Sequence, residues 1–194
     1  MMYINLTDPD ARPQAKRKIL LPDVSDPEKM TPAELETLGV AECDVIREPT
    51  DWWQMQGETV RDDSVRPVRY AYTAIDRPID DVRAAALERI KQARFRKEDE
   101  GVTVNGVRYS GSQANRQTLD EAVRAAQRAG QTEFLRWKDS DNVFHPNHPV
   151  ADVEQALDLI AQNRGTLIAT EGEKAEIIMK AQSVAHVVEA AGWE

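Results

Sequence analysis

The chain has 194 residues, 34 acidic against 25 basic, and a net charge of −9, which fits one ordinary domain or two small ones. Hydrophobic residues at 41% and charged residues at 30% describe a soluble globular composition with enough apolar mass for a core. A pI near 5.0 argues against a broad phosphate-gripping surface, the single cysteine excludes an internal disulfide and a thiolate-only zinc site, and no apolar run approaches the roughly 18 residues of a membrane span. Met1 to Thr7 carries neither the basic nor the apolar stretch of a signal peptide, so the expectation is a protein made in a cytoplasm and kept soluble.

Up to about residue 77 the chain reads as short β segments and turns. Tyr3-Ile4-Asn5-Leu6 alternates apolar and polar, and Lys18-Ile19-Leu20-Leu21 is a short apolar run ended by Pro22. Thr31-Pro32-Ala33-Glu34 carries three agreeing helix-start signals: a capping threonine, a proline at the first helical position, and the glutamate of a capping box. Gly39 stops that helix after about two turns. Cys43 to Arg47 predicts a strand ending before Pro49, and two more strands are expected around Trp53–Val60 and Pro67–Ile75, parted by Arg61-Asp62-Asp63-Ser64. Seven of the ten prolines precede residue 77, which suits turns and sheet edges and not helices.

Pro78 marks a change of character. Ile79, Val82, Ala86, Leu87, Ile90, Ala93 and Phe95 step mostly by three or four, which predicts one apolar stripe on a helix over 79–99. Asp80 and Asp81 favour its positive end, while Arg94, Arg96 and Lys97 sit near its negative end. Gly101-Val102-Thr103-Val104-Asn105-Gly106-Val107-Arg108-Tyr109 predicts a hairpin, because Asn-Gly takes positive φ at both turn positions. Thr118 to Ala129 reads as a helix closed by Gly130. Phe134–Lys138 and Val143-Phe144 bracket a second hairpin around Asp139-Ser140-Asp141-Asn142. A long helix over Val150 to Ala181, bent at Gly165, and a short one capped by Ser183 complete the chain. The fold class is therefore α+β: a small β-rich N-terminal domain (1–77) joined by the helix to a mainly helical C-terminal domain (78–194) with two β-hairpins. Isolated hairpins are too small to be stable. Both are expected to lie on the helices, burying Val102, Val104, Val107, Phe134 and Trp137 against Leu119, Val123, Leu157 and Ile160. The two parts carry −5 (10 basic, 15 acidic) and −4 (15 basic, 19 acidic), so neither is a basic module.

Few residues form a chemical constellation. His145-Pro146-Asn147-His148-Pro149, with Asp139, Asp141 and Asp152 nearby, offers metal-ligand types, but its prolines read as an extended polar loop into the next helix. His186 lies apart from any serine or cysteine partner, and Cys43, flanked by Glu42 and Asp44, reads as an inert thiol. Gly101, Gly106 and Gly111 belong to the hairpin and form no phosphate loop. The basic stretch Arg89, Lys91, Arg94, Arg96 and Lys97 reads as a solvated face or as partners of Glu98, Asp99 and Glu100. No catalytic, cofactor-binding or metal residue is assigned.

Trp52, Trp53 and Met55 form the aromatic cluster best suited to the centre of a protein–protein interface; closing the small N-terminal core is the other reading. Adjacent strand residues point to opposite faces, so one tryptophan is expected inside and the other outside.

The second half resembles an uncharacterised domain family encoded in tail-fibre and tail-tip gene clusters of tailed bacteriophages and prophages. The resemblance spans about residues 80–190 and rests on an order of elements. The helix Val82–Lys91 leads to the Gly101–Tyr109 hairpin, then the Leu119–Ala129 helix, Phe134-Leu135-Arg136-Trp137-Lys138, a long helix, and the closing Ile177–Ala185 pattern. The His145–Pro149 stretch departs from the simpler run expected there. The resemblance implies a non-enzymatic virion structural protein of the tail fibre, tail tip or baseplate, with a tail-fibre assembly chaperone as the alternative. An enzyme degrading envelope glycan is the remote alternative, motivated by the abundant carboxylates and the two histidines. The implied partners are other phage tail or fibre proteins, with no nucleic acid, no cofactor and no membrane insertion. The three-fold and six-fold rings of tails make a homotrimer the expected self-assembly. The implied location is the virion tail, and the bacterial host cytoplasm during assembly.

Overall fold

Short apolar runs separated by prolines build a four-stranded sheet in the first of two compact units, Met1–Pro78 and Ile79–Glu194. The computed structural model describes every residue except Ile19, Leu20, Pro22, Asp23, Ser25, Pro49 and Glu194, and the side chain of Arg17. Ile19 and Leu20 of the apolar run ended by Pro22 thus lie outside the described residues, whereas the strand expected to stop before Pro49 ends at Arg47. The strands are β1 (Met2–Asn5), β2 (Val40–Arg47), β3 (Gln54–Asp62) and β4 (Val68–Asp76), in spatial order β1-β2-β4-β3. β1 runs antiparallel to β2, with Ile4 opposite Ala41. β2 runs parallel to β4, with Cys43 beside Val68, and β3 runs antiparallel to β4 with a bulge between Gln56 and Thr59.

Register sorts the side chains of this sheet. Ile4, Ala41, Cys43, Val68 and Tyr70 bury one face together with Leu6, Ala11, Val45 and Tyr72. Among the described residues, the opposite face is covered at one end only, where Tyr3 and Val40 meet Leu35 of helix α1 (Pro32–Thr37). Both halves of the expected capping box are present in α1. The Thr31 N–H donates to Glu34 Oε2 at 2.6 Å, and the Glu34 N–H donates to Thr31 Oγ1 at 3.3 Å.

The second unit opens with α2 (Ile79–Glu100), which buries Val82, Ala86, Ile90 and Ala93 and packs against α4 (Val150–Lys180) and α5 (Val184–Ala190). Phe95, expected on the apolar stripe, is exposed instead, with the Arg94 guanidinium 4.2 Å from its ring centre. The Asn-Gly hairpin joins β5 (Val102–Val104) to β6 (Val107–Tyr109), with Asn105 at φ 48° and Gly106 at φ 81°. Helix α3 (Gln113–Arg128) starts five residues before the expected Thr118. Its true start is the Ser112 cap, whose Oγ accepts the Asn115 N–H at 3.3 Å. The Gln113–Gln117 turn lacks the apolar spacing that the sequence reading followed.

The second hairpin pairs β7 (Glu133–Lys138) with β8 (Phe144–Pro149). This corrects the reading of His145–Pro149 as a loop: the segment is a strand. A two-stranded ribbon has free edges, and proline without an N–H is tolerated there. Val104, Val107, Tyr109, Leu119, Val123, Val153, Ala156 and Ile160 form a core onto which Val102, Phe134, Trp137 and Leu157 pack. The expected docking of both hairpins on the helices is therefore present, with Tyr109, Val153 and Ala156 added to it. No described helix is long and apolar enough to cross a membrane. The architecture is α+β, β-rich first and mainly helical after.

Candidate functional site

Trp52 and Trp53 lie in the turn before β3, not in the strand, so strand alternation does not govern them. Both are half-buried, which corrects the expectation of one inside and one outside. Their rings meet edge to face with centres 5.6 Å apart. The turn is tied to the end of the sheet by Arg77, whose backbone N–H donates to the Trp53 carbonyl at 2.9 Å and whose Nη1 donates to the Trp52 carbonyl at 3.3 Å.

Met55 begins an apolar face that the turn borders. It sits opposite Ile75, while Val60 sits opposite Ala71, which pairs in turn with Ile46 on β2. Ile46, Met55, Val60 and Ile75 are each between 44% and 56% exposed. They share the sheet face that α1 covers only at its far end. A charged row borders them, with Arg69 between Asp44 and Asp62. Glu48 lies alongside, its Oε2 accepting the Ala74 N–H at 2.8 Å. The sequence reading found Met55 and missed Ile46, Val60 and Ile75. The signal was present in Val45-Ile46, two adjacent apolar strand residues of which one must face away from the main core.

The histidines sit on the other unit and face different partners. β7 and β8 keep their register, yet Phe134 and Trp137 turn inward, as do His145 and His148, each pair three residues apart. Asn147, at φ 49°, lies between the two inward histidines on β8. His148 is only 4% exposed, and its Nε2 lies 2.6 Å from the Tyr109 hydroxyl. Burial first, with Asp152 and Asp139 adding to it, pushes the Tyr109 hydroxyl up to about 12. Burial likewise lowers the His148 pKa, helped by His145 and opposed by Asp152. A neutral pair in which the tyrosine donates to the imidazole follows from those directions. Trp137 stacks on His148 with ring centres 5.8 Å apart.

His145 Nε2 donates to Asp139 Oδ2 at 2.8 Å. That bond holds the Asp139 carboxyl below its ordinary range, and the backbone N–H groups of Val143 and Asp141 assist. Each imidazole thus spends its Nε2 on a tyrosine or a carboxylate. Among the described residues no group of three or more His, Cys, Asp or Glu side chains is placed to hold a metal ion. Cys43 is buried in the first unit, and burial pushes its thiol pKa up, the opposite of nucleophile activation.

Of the two readings of the basic stretch of α2, pairing with Glu98 holds at Arg94. Arg94 turns inward and pairs with Glu98 and with Glu171 of α4. Glu98 is itself buried, and Arg116 of α3 and Arg164 of α4 each stand 3.5 Å from its Oε2. This cluster ties three helices together and, once its pairs are made, offers no reactive group. Composition showed the charges, but nothing in their spacing showed that Glu98 would be enclosed.

No curated protein and no solved structure matches the chain. Residues 81–191 match the family described as Domain of unknown function (DUF4376). The match covers more than half of the sequence and follows α2 to the end of α5 through both hairpins, so this chain belongs to the DUF4376 family.

Proposed function

We propose that the chain is a structural component of a bacteriophage tail, in a fibre, tail tip or baseplate, acting through protein–protein contacts. The observation that carries this reading is the exposed apolar face formed by Ile46, Met55, Val60 and Ile75 beside the Trp52-Trp53 turn. Clustered apolar residues left on a sheet face and rimmed by charge mark an interaction site. The resemblance of residues 80–190 to a domain family of phage tail gene clusters is what supports the tail setting. Trp52, Trp53 and Met55 serve as partner contacts in this reading, and the location is the virion, reached from the host cytoplasm.

Mass spectrometry of purified particles tests it. A stoichiometric amount of the chain in particles is the expected result. Absence from particles together with co-purification with the fibre would make it an assembly chaperone. Turnover of peptidoglycan or capsule, abolished by one point substitution, would overturn both. The chain carrying Met55→Asp and Val60→Asp should keep its far-ultraviolet spectrum and be lost from particles, because both residues are about half exposed.

A further inference from the structure

The β7–β8 ribbon has a second, outward surface whose character mirrors the sheet face of the first unit. Leu135 is 87% exposed, and Val143 and Phe144 are more than half exposed. Arg136 and Lys138 stand over the Phe144 ring, at 5.6 Å and 5.9 Å from its centre. The ribbon is thus an apolar ridge with a cationic flank, with Glu133 at its base and Asp141 in its turn paired with Arg108. The sheet face carries Ile46, Met55, Val60 and Ile75 with Asp44, Asp62 and Glu48 around Arg69, and Arg77 lies beyond it at the Trp52-Trp53 turn. One surface is apolar and cationic, and the other is apolar and anionic.

We propose that these two surfaces bind each other between copies of the chain, the ribbon of one copy seating on the sheet face of the next. The pairing rests on the reading of the sheet face as an assembly surface and names its occupant. Charge selects this arrangement over the symmetric ones. Two sheet faces brought together would oppose Asp44, Asp62 and Glu48 on both sides, and two ribbons would oppose Arg136 and Lys138. Like charges across an interface suppress the wrong partner, while opposite charges fix orientation and speed encounter. The apolar residues provide the affinity, since charges at an exposed rim contribute little. A contact between two different surfaces of the same chain is heterologous. Each added copy leaves one ribbon and one sheet face free, so growth continues until the rotation closes a ring or runs on as a filament.

The experiment uses the purified full-length chain alone, followed by sedimentation velocity from low to high micromolar concentration. The wild type should grow beyond two copies. A sheet variant, Ile46→Ser with Val60→Ser, and a ribbon variant, Leu135→Ser with Phe144→Ser, should each stay monomeric, because each lacks one of the two required halves. Their thermal melts identify any loss caused by unfolding. Mixed in equal amounts, the two variants should form a complex of one chain each that grows no further, since only one intact ribbon and one intact sheet face remain. A third variant, Arg136→Glu with Lys138→Glu, should also stay monomeric. A monomeric wild type at every concentration would overturn the proposal, as would self-association by either serine variant alone or no complex on mixing. If the wild type is monomeric yet present in particles, this pairing fails while the assembly reading stands.

Discussion

A buried imidazole sets the pH response expected at the residue scale. His148 is lowered from its ordinary 6.5 by burial, so the unfolded chain takes up a proton more readily than the folded one does. Its contribution to stability is therefore complete above the ordinary value and is lost as pH falls through it toward the folded value. Asp139, also depressed, gives way only below its ordinary 3.8, so the two effects occupy separate pH windows. Thermal melts between about pH 8 and about pH 5 should show falling stability in the wild type and a flatter profile for His148→Gln. Tyr109→Phe should cost about 1–3 kcal/mol at neutral pH by leaving the buried His148 Nε2 without a donor. An unchanged melting temperature in that variant would show that the pair contributes nothing. His148 was visible in the sequence as a candidate ligand, but its tyrosine partner lies 39 residues away, and spacing carries no record of such a contact.

The elements divide by how local their cause is. The Thr31 cap and the Asn105-Gly106 turn were legible because each is determined by a few adjacent residues. The hairpin core was legible in part, since alternation in Val102-Thr103-Val104 and the 3.6 period around Leu119 and Val123 both point inward. β8 was legible only at Phe144, because two prolines and two histidines are poor strand formers and only pairing with β7 makes the rest extended. The start of α3 was missed for a different reason: its Ser112 cap is local, but the apolar period begins only at Leu119. Gly111 lies against the end of α2, where an added Cβ would stand 2.0 Å from the Glu98 carbonyl oxygen. Two glycine variants separate these causes. Gly106 at φ 81° has open space around a Cβ, so Gly106→Val should cost about 1–2 kcal/mol from backbone strain alone. Gly111→Ala meets backbone, and it should cost more than Gly106→Val by displacing α3 from α2. Chemical denaturation of the two variants checks the order, and a smaller loss for Gly111→Ala would contradict it.

At the scale of the whole molecule, the family match at 81–191 lies within the second unit. The candidate assembly face lies in the first, outside the matched span. Composition bounded this level only coarsely: it gave a net negative charge to both parts, yet the opposite local characters of the ribbon and the sheet face emerge only when register brings distant residues side by side. The single cysteine also acquires a use from its position. Cys43 is enclosed by Ile4, Ala41 and Val68 in the core of the first unit, so a thiol-reactive probe can reach it only when that core opens. Where reclosing outruns labelling, the labelling rate measures the opening equilibrium directly. Val68→Ala, which removes about 1–2 kcal/mol of packing, should therefore raise the rate roughly 5- to 30-fold. The native thiol is a built-in clock for one half of the protein, readable by intact mass with no label engineered in.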